Sequence, residues 1–247
     1  EVMSMFSRLV AEKVLEILGN DPIKVIDQCN CLNYTYVLIR TGLGEFLGLA
    51  YTPIEDLRAG EVGTIPRVEE LPDLITNLDS LVRAMGLLPG DLKSEIIRLL
   101  RPRCTACFIG SITPVAERAS EVCSVYQLER RSDLRHSSYP DIDTPLIIPN
   151  CDLLVMTGSA LINNTIDYIL SLKKSNATVV LSGPSAAAYP PVLHELGIDV
   201  VGSSLVKDPY TAIDLLKLGA GYRLMDKRGL LFKYVSVRHH GEGTRGN

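Results

Sequence analysis

The sequence contains no tryptophan, and aromatic residues make up only 6% of its 247 residues. Aliphatic side chains must therefore form most of any core, and a hydrophobic fraction of 46% is enough for a sizeable one. An excess of basic residues is also missing, since the formal net charge is -4. Because nucleic acids and anionic membranes attract basic surfaces, this balance argues against both as partners.

Long apolar runs are absent as well. No stretch approaches the ~18 consecutive apolar residues that would span a bilayer. The first residues also lack the basic-then-apolar pattern of a secretory signal. We therefore expect a cytoplasmic protein, and a homodimer is the base-rate expectation for its assembly.

Common catalytic signatures are missing too: the sequence has no G-x-S-x-G, no H-E-x-x-H and no Walker phosphate loop. Its histidines are scattered, with His194 in a helical pattern, His136 in a polar loop and His239-His240 in a glycine-rich tail. No catalytic triad can be argued from these residues. Whether the protein is an enzyme stays open at this point.

Six cysteines are present, at positions 29, 31, 104, 107, 123 and 151. Cys29-x-Cys31 and Cys104-x-x-Cys107 are the close pairs, and they lie far apart in the chain. A zinc site usually needs two such pairs with tight spacing. We therefore expect free thiols in the core, where cysteine is common. Cys29 and Cys31 are the better metal candidates if the first domain presents them at a cleft.

The first hundred residues predict an α+β unit. Helical apolar spacing gives way to three short strand patterns and then to helical spacing again. Asp91, after Pro89-Gly90, is the expected N-cap of the last helix. The predicted elements are helices over 4–18, 68–85 and 91–100 and strands over 24–29, 34–40 and 45–51.

Beyond Arg101-Pro102-Arg103, which has the composition of a linker, short apolar strands alternate with helices. This alternation predicts a mostly parallel sheet covered by helices on both faces, as in a Rossmann-like domain. The predicted strands are 104–110, 124–128, 153–156, 178–181 and 199–201, and the predicted helices are 115–123, 166–173, 189–196 and 210–218. The fold class is therefore α/β, with domains at 1–100 and 101–238 and a flexible tail at 239–247.

Four of the predicted strands end in small and polar residues, at 110–114, 157–159, 182–185 and 202–204. Taken alone, each turn is better explained by helix capping, which also uses glycine, serine and threonine. In parallel sheets, however, ligands bind beyond the carboxyl ends of the strands, and four such turns at one edge favour a site. The residues predicted to bind a ligand there are Gly110, Ser111, Thr157, Gly158, Ser159, Asn163, Thr165, Gly183, Pro184 and Ser185.

Glu129 ends the second strand of this half and is also predicted to face the ligand. Dinucleotide-binding proteins carry an acidic residue near this position that binds a ribose hydroxyl. The first turn reads G-S-I-T-P rather than G-x-G-x-x-G, so close contact with a pyrophosphate is not supported. A nucleoside-like or other polyol ligand fits this pattern. The alternative is that Glu129 pairs with Arg130, Arg131 or solvent.

Three stretches make the second half resemble a known family: T-G-S-A-L-I-N-N-T-I-D-Y-I-L, V-V-L-S-G-P-S and G-I-D-V-V-G-S-S-L-V-K-D. They resemble the family described as putative heavy-metal chelation, whose members carry threonine-glycine, asparagine-glycine-threonine and glycine-proline-serine/threonine motifs. Asn163 and Thr165 match the second motif, and Asn164 replaces its usual glycine. G-L-A-Y-T-P at 48–53 is similar to the family's partner domain.

The resemblance implies a domain similar to the N-terminal domain of enolase, a Rossmann-like domain and a site in the cleft between them. It also implies a role in handling a heavy metal or metal chelate. Hydroxyls, amides and backbone groups suit an organic ligand or a chelate better than a bare soft ion, which prefers thiolate or imidazole.

Three hypotheses follow. The first is a protein that binds a small ligand or metal chelate. The second is an enzyme acting on a nucleotide-like or phosphorylated small molecule, with Glu129 or Asp208 as acid/base. The third, a purely structural interaction module, predicts a shallow or filled cleft.

Overall fold

The computed structural model describes residues 5–18, 22–41, 44–52, 87–110, 112–131, 135, 138–162, 165–186 and 190–238. Within these ranges the chain forms a three-stranded antiparallel sheet and a larger, mostly parallel sheet with helices. The α/β class is therefore confirmed. Several predicted features lie outside the described residues: the helix over 68–85, the tail at 239–247, Ser111, Asn163, Asn164, His136, His239 and His240.

The smaller sheet follows helix α1 and consists of three antiparallel strands in the order β1-β2-β3. Each strand begins and ends within one residue of its predicted position. Tyr36 and Leu38 alternate along β2 and are both buried on one face. The elements are α1 Met5–Leu18, β1 Lys24–Asn30, β2 Tyr34–Thr41 and β3 Gly44–Tyr51.

The larger sheet has seven strands among the described residues, in the order β4-β10-β9-β8-β7-β5-β6. Strands β5 to β9 run parallel, whereas β10 runs antiparallel to both β9 and β4. The alternating pattern predicts the parallel strands but not β4 or β10. The strands are β4 Leu88–Pro89, β5 Thr105–Ile109, β6 Ser124–Leu128, β7 Leu153–Thr157, β8 Thr178–Ser182, β9 Val200–Val206 and β10 Leu231–Val237.

Helices cover both faces of this sheet, as predicted. Successive strand residues point to opposite faces, so Val179 and Leu181 pack into one core while Val180 packs into the other. The first core includes α1, α6 and α7, and the second includes α2 and α3. The helices are α2 Leu92–Leu99, α3 Thr113–Ala119, α4 Thr144–Ile147, α5 Ser159–Ile162, α6 Ile166–Leu172, α7 Pro190–Glu195, α8 Pro209–Lys217 and α9 Tyr222–Lys227.

Two residues that the sequence placed at helices, Asp91 and His194, are found there in the structure. Asp91 caps α2, since its side chain accepts the backbone N–H of Ser94, as predicted. His194 lies on α7, where its ring nitrogens contact the Ile198 carbonyl and the Ser236 hydroxyl. Through these contacts His194 has a structural role, because it links α7 to β10.

A third core joins the smaller sheet to the two helices that follow β9. Tyr36 and Leu38 of β2 lie in one buried cluster with Ile213 and Leu216 of α8 and Met225 of α9. Helices α1 and α2, although they precede residue 101, pack on the larger sheet. The division of the chain at residue 100 stays a prediction.

The turn predicted at Gly202-Ser203-Ser204 is wrong, because these residues continue β9 and pair with β10. Their small size serves packing: a Cβ on Gly202 would lie 2.5 Å from the side chain of Leu92. The Ser203 hydroxyl donates to the Gly183 carbonyl at 2.9 Å. Three turns, rather than four, therefore remain at the sheet edge.

The prediction of free core thiols is also wrong. All six cysteines are paired, as Cys29–Cys31, Cys104–Cys123 and Cys107–Cys151. Strands β5 and β6 are parallel neighbours with Thr105 beside Ser124, so the residues before them meet. The close spacing of Cys104 and Cys107 does not reveal these disulfides, because Cys104 bonds Cys123 and Cys107 bonds Cys151.

With their sulfurs joined, Cys29 and Cys31 offer no thiolate to a metal in this form. The metal site suggested for this pair is therefore not formed in the oxidised protein. In the part of the chain that the structure describes, no helix has the length and apolar character to cross a membrane.

Candidate functional site

A cavity of about 610 Å³ lies at the carboxyl ends of β5, β6, β7 and β8. The chain passes from β5 to β6 on one side and places β7 on the other side of β5. The strand order therefore reverses between β5 and β7, which is where doubly wound sheets bind ligands. Tyr34 and Tyr51 of the smaller sheet also line the cavity, so it lies between the two sheets.

Nine of the predicted residues line this cavity: Gly110, Glu129, Thr157, Gly158, Ser159, Thr165, Gly183, Pro184 and Ser185. Ser111 and Asn163 lie outside the described residues. The turns meet because β5, β7 and β8 are neighbours in the sheet, although they are well separated in sequence. The fold thus brings together these nine residues, which were predicted from the strand-end sequences to bind a ligand.

Two glycines at these turns are needed for contacts within the protein. Gly110 has φ 93°, and a Cβ there would lie 2.7 Å from Cγ2 of Thr157. A Cβ on Gly158 would lie 2.5 Å from the amide nitrogen of Ala186. The turns after β5, β7 and β8 therefore approach each other so closely that side chains are excluded, and this close approach forms the floor of the cavity.

The apolar pattern of β7 is followed by hydroxyl residues, and the structure shows why: they line the cavity. The hydroxyls of Thr157 and Ser159 are hydrogen bonded to each other at the cavity wall. Thr165 occupies the N-cap position of α6, yet its side chain makes no capping hydrogen bond to that helix. Capping alone therefore does not account for Thr165, which lines the cavity.

Glu129 is buried, with only 7% of its surface exposed. Its Oε1 accepts the backbone N–H of Arg131 at 2.9 Å. Arg135 Nε donates to the Glu129 carbonyl at 3.0 Å. These bonds fix the carboxylate at the cavity wall.

Asp208, the other candidate acid/base, is placed differently. It caps α8 by accepting the Thr211 N–H at 3.2 Å, and the Thr211 bonds hold the pKa of its carboxyl below the ordinary value. It is not among the residues that line the cavity. The structure therefore gives Asp208 a helix-capping role.

Tyr51 joins the two sheets beside the cavity. Its backbone N–H donates to Oγ of Ser185 at 2.9 Å, and its hydroxyl accepts from Arg131 at 3.2 Å. Its ring meets Tyr34 edge to face, with centroids 6.3 Å apart. Burial raises the pKa of Tyr34, so that hydroxyl is protonated at neutral pH.

Sequence reasoning missed most of the wall opposite the turns. Tyr34, Tyr51, Asp141 and Thr144 line the cavity, and no spacing rule connects them with the strand ends. A signal existed for Tyr51, which lies within the G-L-A-Y-T-P stretch. The others come from segments that only the tertiary fold brings near β5 and β7.

The residues present do not fit a bare heavy-metal ion in the cavity. Among the described residues, no three His, Cys, Asp or Glu side chains come together as a metal site, and none of the six cysteines lines the cavity. The lining carboxylates, Glu129 and Asp141, are accompanied by Arg130 and Arg131. Guanidinium groups repel a cation and favour an anionic or polar organic group.

Solved structures of two other proteins share this architecture. A crystal structure of a DUF364 protein of unknown function from Pyrococcus horikoshii superimposes with a TM-score of 0.76 at 25% identity, covering 94% of this chain and 100% of that one. A second, from Desulfitobacterium hafniense, gives a TM-score of 0.72 at 16% identity, covering 94% and 97%. The latter likeness shows the fold alone.

A relative in sequence is the uncharacterized protein MJ0500 of Methanocaldococcus jannaschii, which is 25% identical over 253 residues, or 93% of this chain and 95% of that protein. The family model described as "Putative heavy-metal chelation" matches residues 94–235. This segment is more than half of the chain and includes the turns after β5, β7 and β8. The chain therefore belongs to the DUF364 family.

Proposed function

We propose that this protein binds a small organic ligand, or the chelate of a metal with such a ligand, in the cavity between its two sheets. One observation carries the proposal: the polar turns after β5, β7 and β8 converge on one cavity with Glu129 and Tyr51. The volume of about 610 Å³ lies within the usual range for small-molecule sites.

The lining suits a ligand with an apolar body and polar ends. Ile109, Leu128 and Ile169 supply apolar wall, and Ser185 and Arg131 supply hydrogen-bonding groups. Such a distribution, mostly apolar with a few placed polar groups, is how proteins bind and orient small molecules. An organic chelator would also bring its own soft metal ligands, and the described lining residues include no cysteine or histidine.

We also propose a more specific assignment of the fold. The order β6-β5-β7-β8-β9 is that of a flavodoxin-like doubly wound sheet, which supports the Rossmann-like assignment. The antiparallel sheet β1-β2-β3 supplies Tyr34 and Tyr51 to the cavity, as the enolase-N-like partner domain is expected to do.

A second candidate, an enzyme acting on a nucleotide-like or phosphorylated small molecule, is favoured by Glu129. This buried carboxylate ends the second parallel strand, where dinucleotide-binding proteins hold a ribose. Arg130 and Arg131 follow it at the cavity wall and suit a phosphate or carboxylate. Turnover of such a compound would separate this candidate from simple binding.

The proposal is tested by native mass spectrometry and elemental analysis of untagged protein, before and after incubation with a metabolite extract. The variant Ser159→Ala removes a cavity hydroxyl. The matched control Ser120→Ala removes an exposed hydroxyl that bonds Glu117 on α3, away from the cavity. Loss of one ligand hydrogen bond is expected to weaken binding about three- to tenfold.

The outcomes are distinct. A ligand retained by wild type and Ser120→Ala, but retained less by Ser159→Ala, supports the proposal. Equal retention by all three proteins would place the ligand elsewhere. If no molecule is retained under any condition, the binding function is rejected.

A further inference from the structure

Glu129 keeps one carboxylate oxygen open to the cavity. Its Oε1 accepts the backbone N–H of Arg131, whereas no group in the described part of the chain donates to its Oε2. The residue is only 7% exposed and lines the cavity. Among the described residues, the one buried side-chain oxygen or nitrogen without a hydrogen-bond partner is the hydroxyl of Tyr234. Oε2 of Glu129 is therefore not sealed in the protein, and a molecule in the cavity can reach it.

The negative charge of Glu129 is not neutralised by the arginines that follow it. Arg131 reaches the carboxylate through its backbone N–H, and Arg135 donates to the Glu129 carbonyl rather than to its side chain. Within the described ranges, no guanidinium forms an ion pair with this carboxylate. Because a buried charge without a partner is costly, a ligand that brings a positive charge to Oε2 is favoured over a neutral one.

Asp141 adds negative charge to the same end of the cavity. The Tyr139 carbonyl accepts the Glu129 N–H at 2.9 Å, and the Tyr139 N–H donates to the Gln127 carbonyl at 2.7 Å. These bonds hold the segment that carries Asp141 against the end of β6, and Asp141 lines the cavity. Since Asp141 is exposed, solvent screens its charge, and Glu129 provides the stronger attraction for a cation.

Arg130 and Arg131 place positive charge on the wall of the same cavity. Arg131 donates to the Tyr51 hydroxyl at 3.2 Å, and a guanidinium keeps its charge when it donates a hydrogen bond. A ligand with only a positive charge would be repelled by these arginines, and one with only a negative charge would be repelled by Glu129. A molecule that carries both charges complements both groups.

We propose that the cavity binds a zwitterion, whose protonated amine pairs with Oε2 of Glu129 and whose carboxylate faces the arginines. This inference rests on the proposed function, since it narrows the class of ligand. The two opposite charges of the cavity come from neighbouring residues of one segment, Glu129 to Arg131. An α-amino acid, which carries its charges on adjacent carbons, matches this arrangement. Ile109, Leu128 and Ile169 supply apolar wall for its side chain.

Four small molecules test the inference on the full chain. They are phenylalanine, phenylpropanoate (which lacks the amine), phenylethylamine (which lacks the carboxylate) and adenosine, a neutral compound with a ribose diol. Each is titrated into isotope-labelled protein, where the amide signals of Gly158 and Gly183 report binding in the cavity. We expect phenylalanine to bind at least about tenfold more tightly than the other three, because each of those leaves a charge of the cavity unpaired.

Glu129→Gln removes the charge but keeps a carbonyl oxygen for the Arg131 N–H. We expect it to lower the affinity for phenylalanine by about tenfold or more, and not to lower the affinity for phenylpropanoate. Glu117→Gln is the matched control, because Glu117 is exposed on α3 and does not line the cavity. Circular dichroism checks the fold of both variants. If Glu129→Gln does not fold, the ranking of the four compounds on wild type decides.

Three results would overturn the inference: wild type binding any of the other compounds as tightly as phenylalanine, Glu129→Gln binding phenylalanine like wild type, or no shift of the cavity signals with any compound. Failure of the proposed function looks different. A neutral or purely anionic molecule retained from the metabolite extract, and retained less by Ser159→Ala, would support the proposed function while contradicting the zwitterion. Retention of no molecule, together with no binding of the four compounds, would reject both.

Discussion

At the scale of single residues, the cavity depends on positions that admit no side chain. Gly158 follows β7, where an added Cβ would lie 2.6 Å from the carbonyl carbon of Ser185 and closer still to Ala186. Both obstacles are backbone atoms, which do not rotate away. The glycine is therefore required by the packing of two turns, and it places Ser185 where its hydroxyl meets Tyr51.

Gly158→Ala is expected to destabilise the protein by about 1–3 kcal/mol, the usual cost of overpacking. Urea denaturation followed by circular dichroism measures the change. Gly48→Ala is the matched control: it lies in β3, where the nearest atom to an added Cβ is 3.9 Å away. A Gly158 variant as stable as this control would show that the turns after β7 and β8 move apart freely.

At the scale of elements, charged contacts fasten the smaller sheet to α8. Asp27 on β1 accepts hydrogen bonds from the Tyr36 hydroxyl at 2.8 Å and from Lys217 Nζ on α8 at 2.9 Å. The Lys217 bond, followed by the Tyr36 bond, lowers the pKa of the Asp27 carboxyl. Since Asp27 and Lys217 are partly exposed, solvent screening keeps their contribution to stability small.

The lowered pKa fixes how this contribution depends on pH. A carboxyl with a folded-state pKa below its unfolded-state value stabilises the fold above the unfolded-state value. That stabilisation is lost as the pH falls through the folded-state pKa. Asp27→Asn is therefore expected to lower the urea midpoint slightly at pH 7, and the difference from wild type should vanish in acid.

Urea midpoints measured across a pH series check this expectation. Asp214→Asn is the control, since Asp214 is an exposed residue of α8, the helix that carries Lys217. A difference between wild type and Asp27→Asn that stays constant from neutral to acidic pH would mean that the charge of Asp27 is not the cause.

Most elements with clear periodicity were predictable, whereas the very short ones and the seven-residue strand β10 were not. The positions of β6 and α6 follow from patterns of apolar and polar residues over five and seven positions, which are long enough to show a period. β4 has two residues and α5 has four, which is less than the pattern needs. Their formation depends on β10 and on the end of β7, so local sequence does not reveal them.

At the scale of the whole molecule, the two sheets are joined by a continuous buried cluster. Leu38 of β2 is 1% exposed and lies in this cluster with Ile213 and Leu216 of α8. A core shared between two sheets couples their unfolding. We therefore expect a single transition in which both sheets are lost together.

Leu38→Ala tests this coupling. Truncation of a fully buried leucine is expected to cost about 2–5 kcal/mol, and the loss should also appear in hydrogen exchange at β8, in the other sheet. Leu218→Ala is the control, since Leu218 is 85% exposed and should change stability by less than about 0.5 kcal/mol. Normal protection at β8 in Leu38→Ala would show that the smaller sheet unfolds alone.

Sequence pattern was enough to predict the parallel strands β5 to β9, the helices α3, α6 and α7 between them and most polar residues at the strand ends. These features follow from local periodicity and from the residue preferences of turns. Gly202-Ser203-Ser204 shows the limit of such reasoning, because the same small residues suit a turn or a strand packed closely on Leu92. Sequence pattern cannot distinguish the two.

Three features could be known only once the chain was folded: which cysteines pair, the position of Tyr51 at the cavity wall and the packing of the smaller sheet on α8. Each depends on contacts between residues far apart in the chain, such as Arg131 with Tyr51 and Cys107 with Cys151. Such contacts follow from strand order and from the packing of whole elements. No local spacing encodes them, because the free energy that selects them comes from burial shared across the molecule.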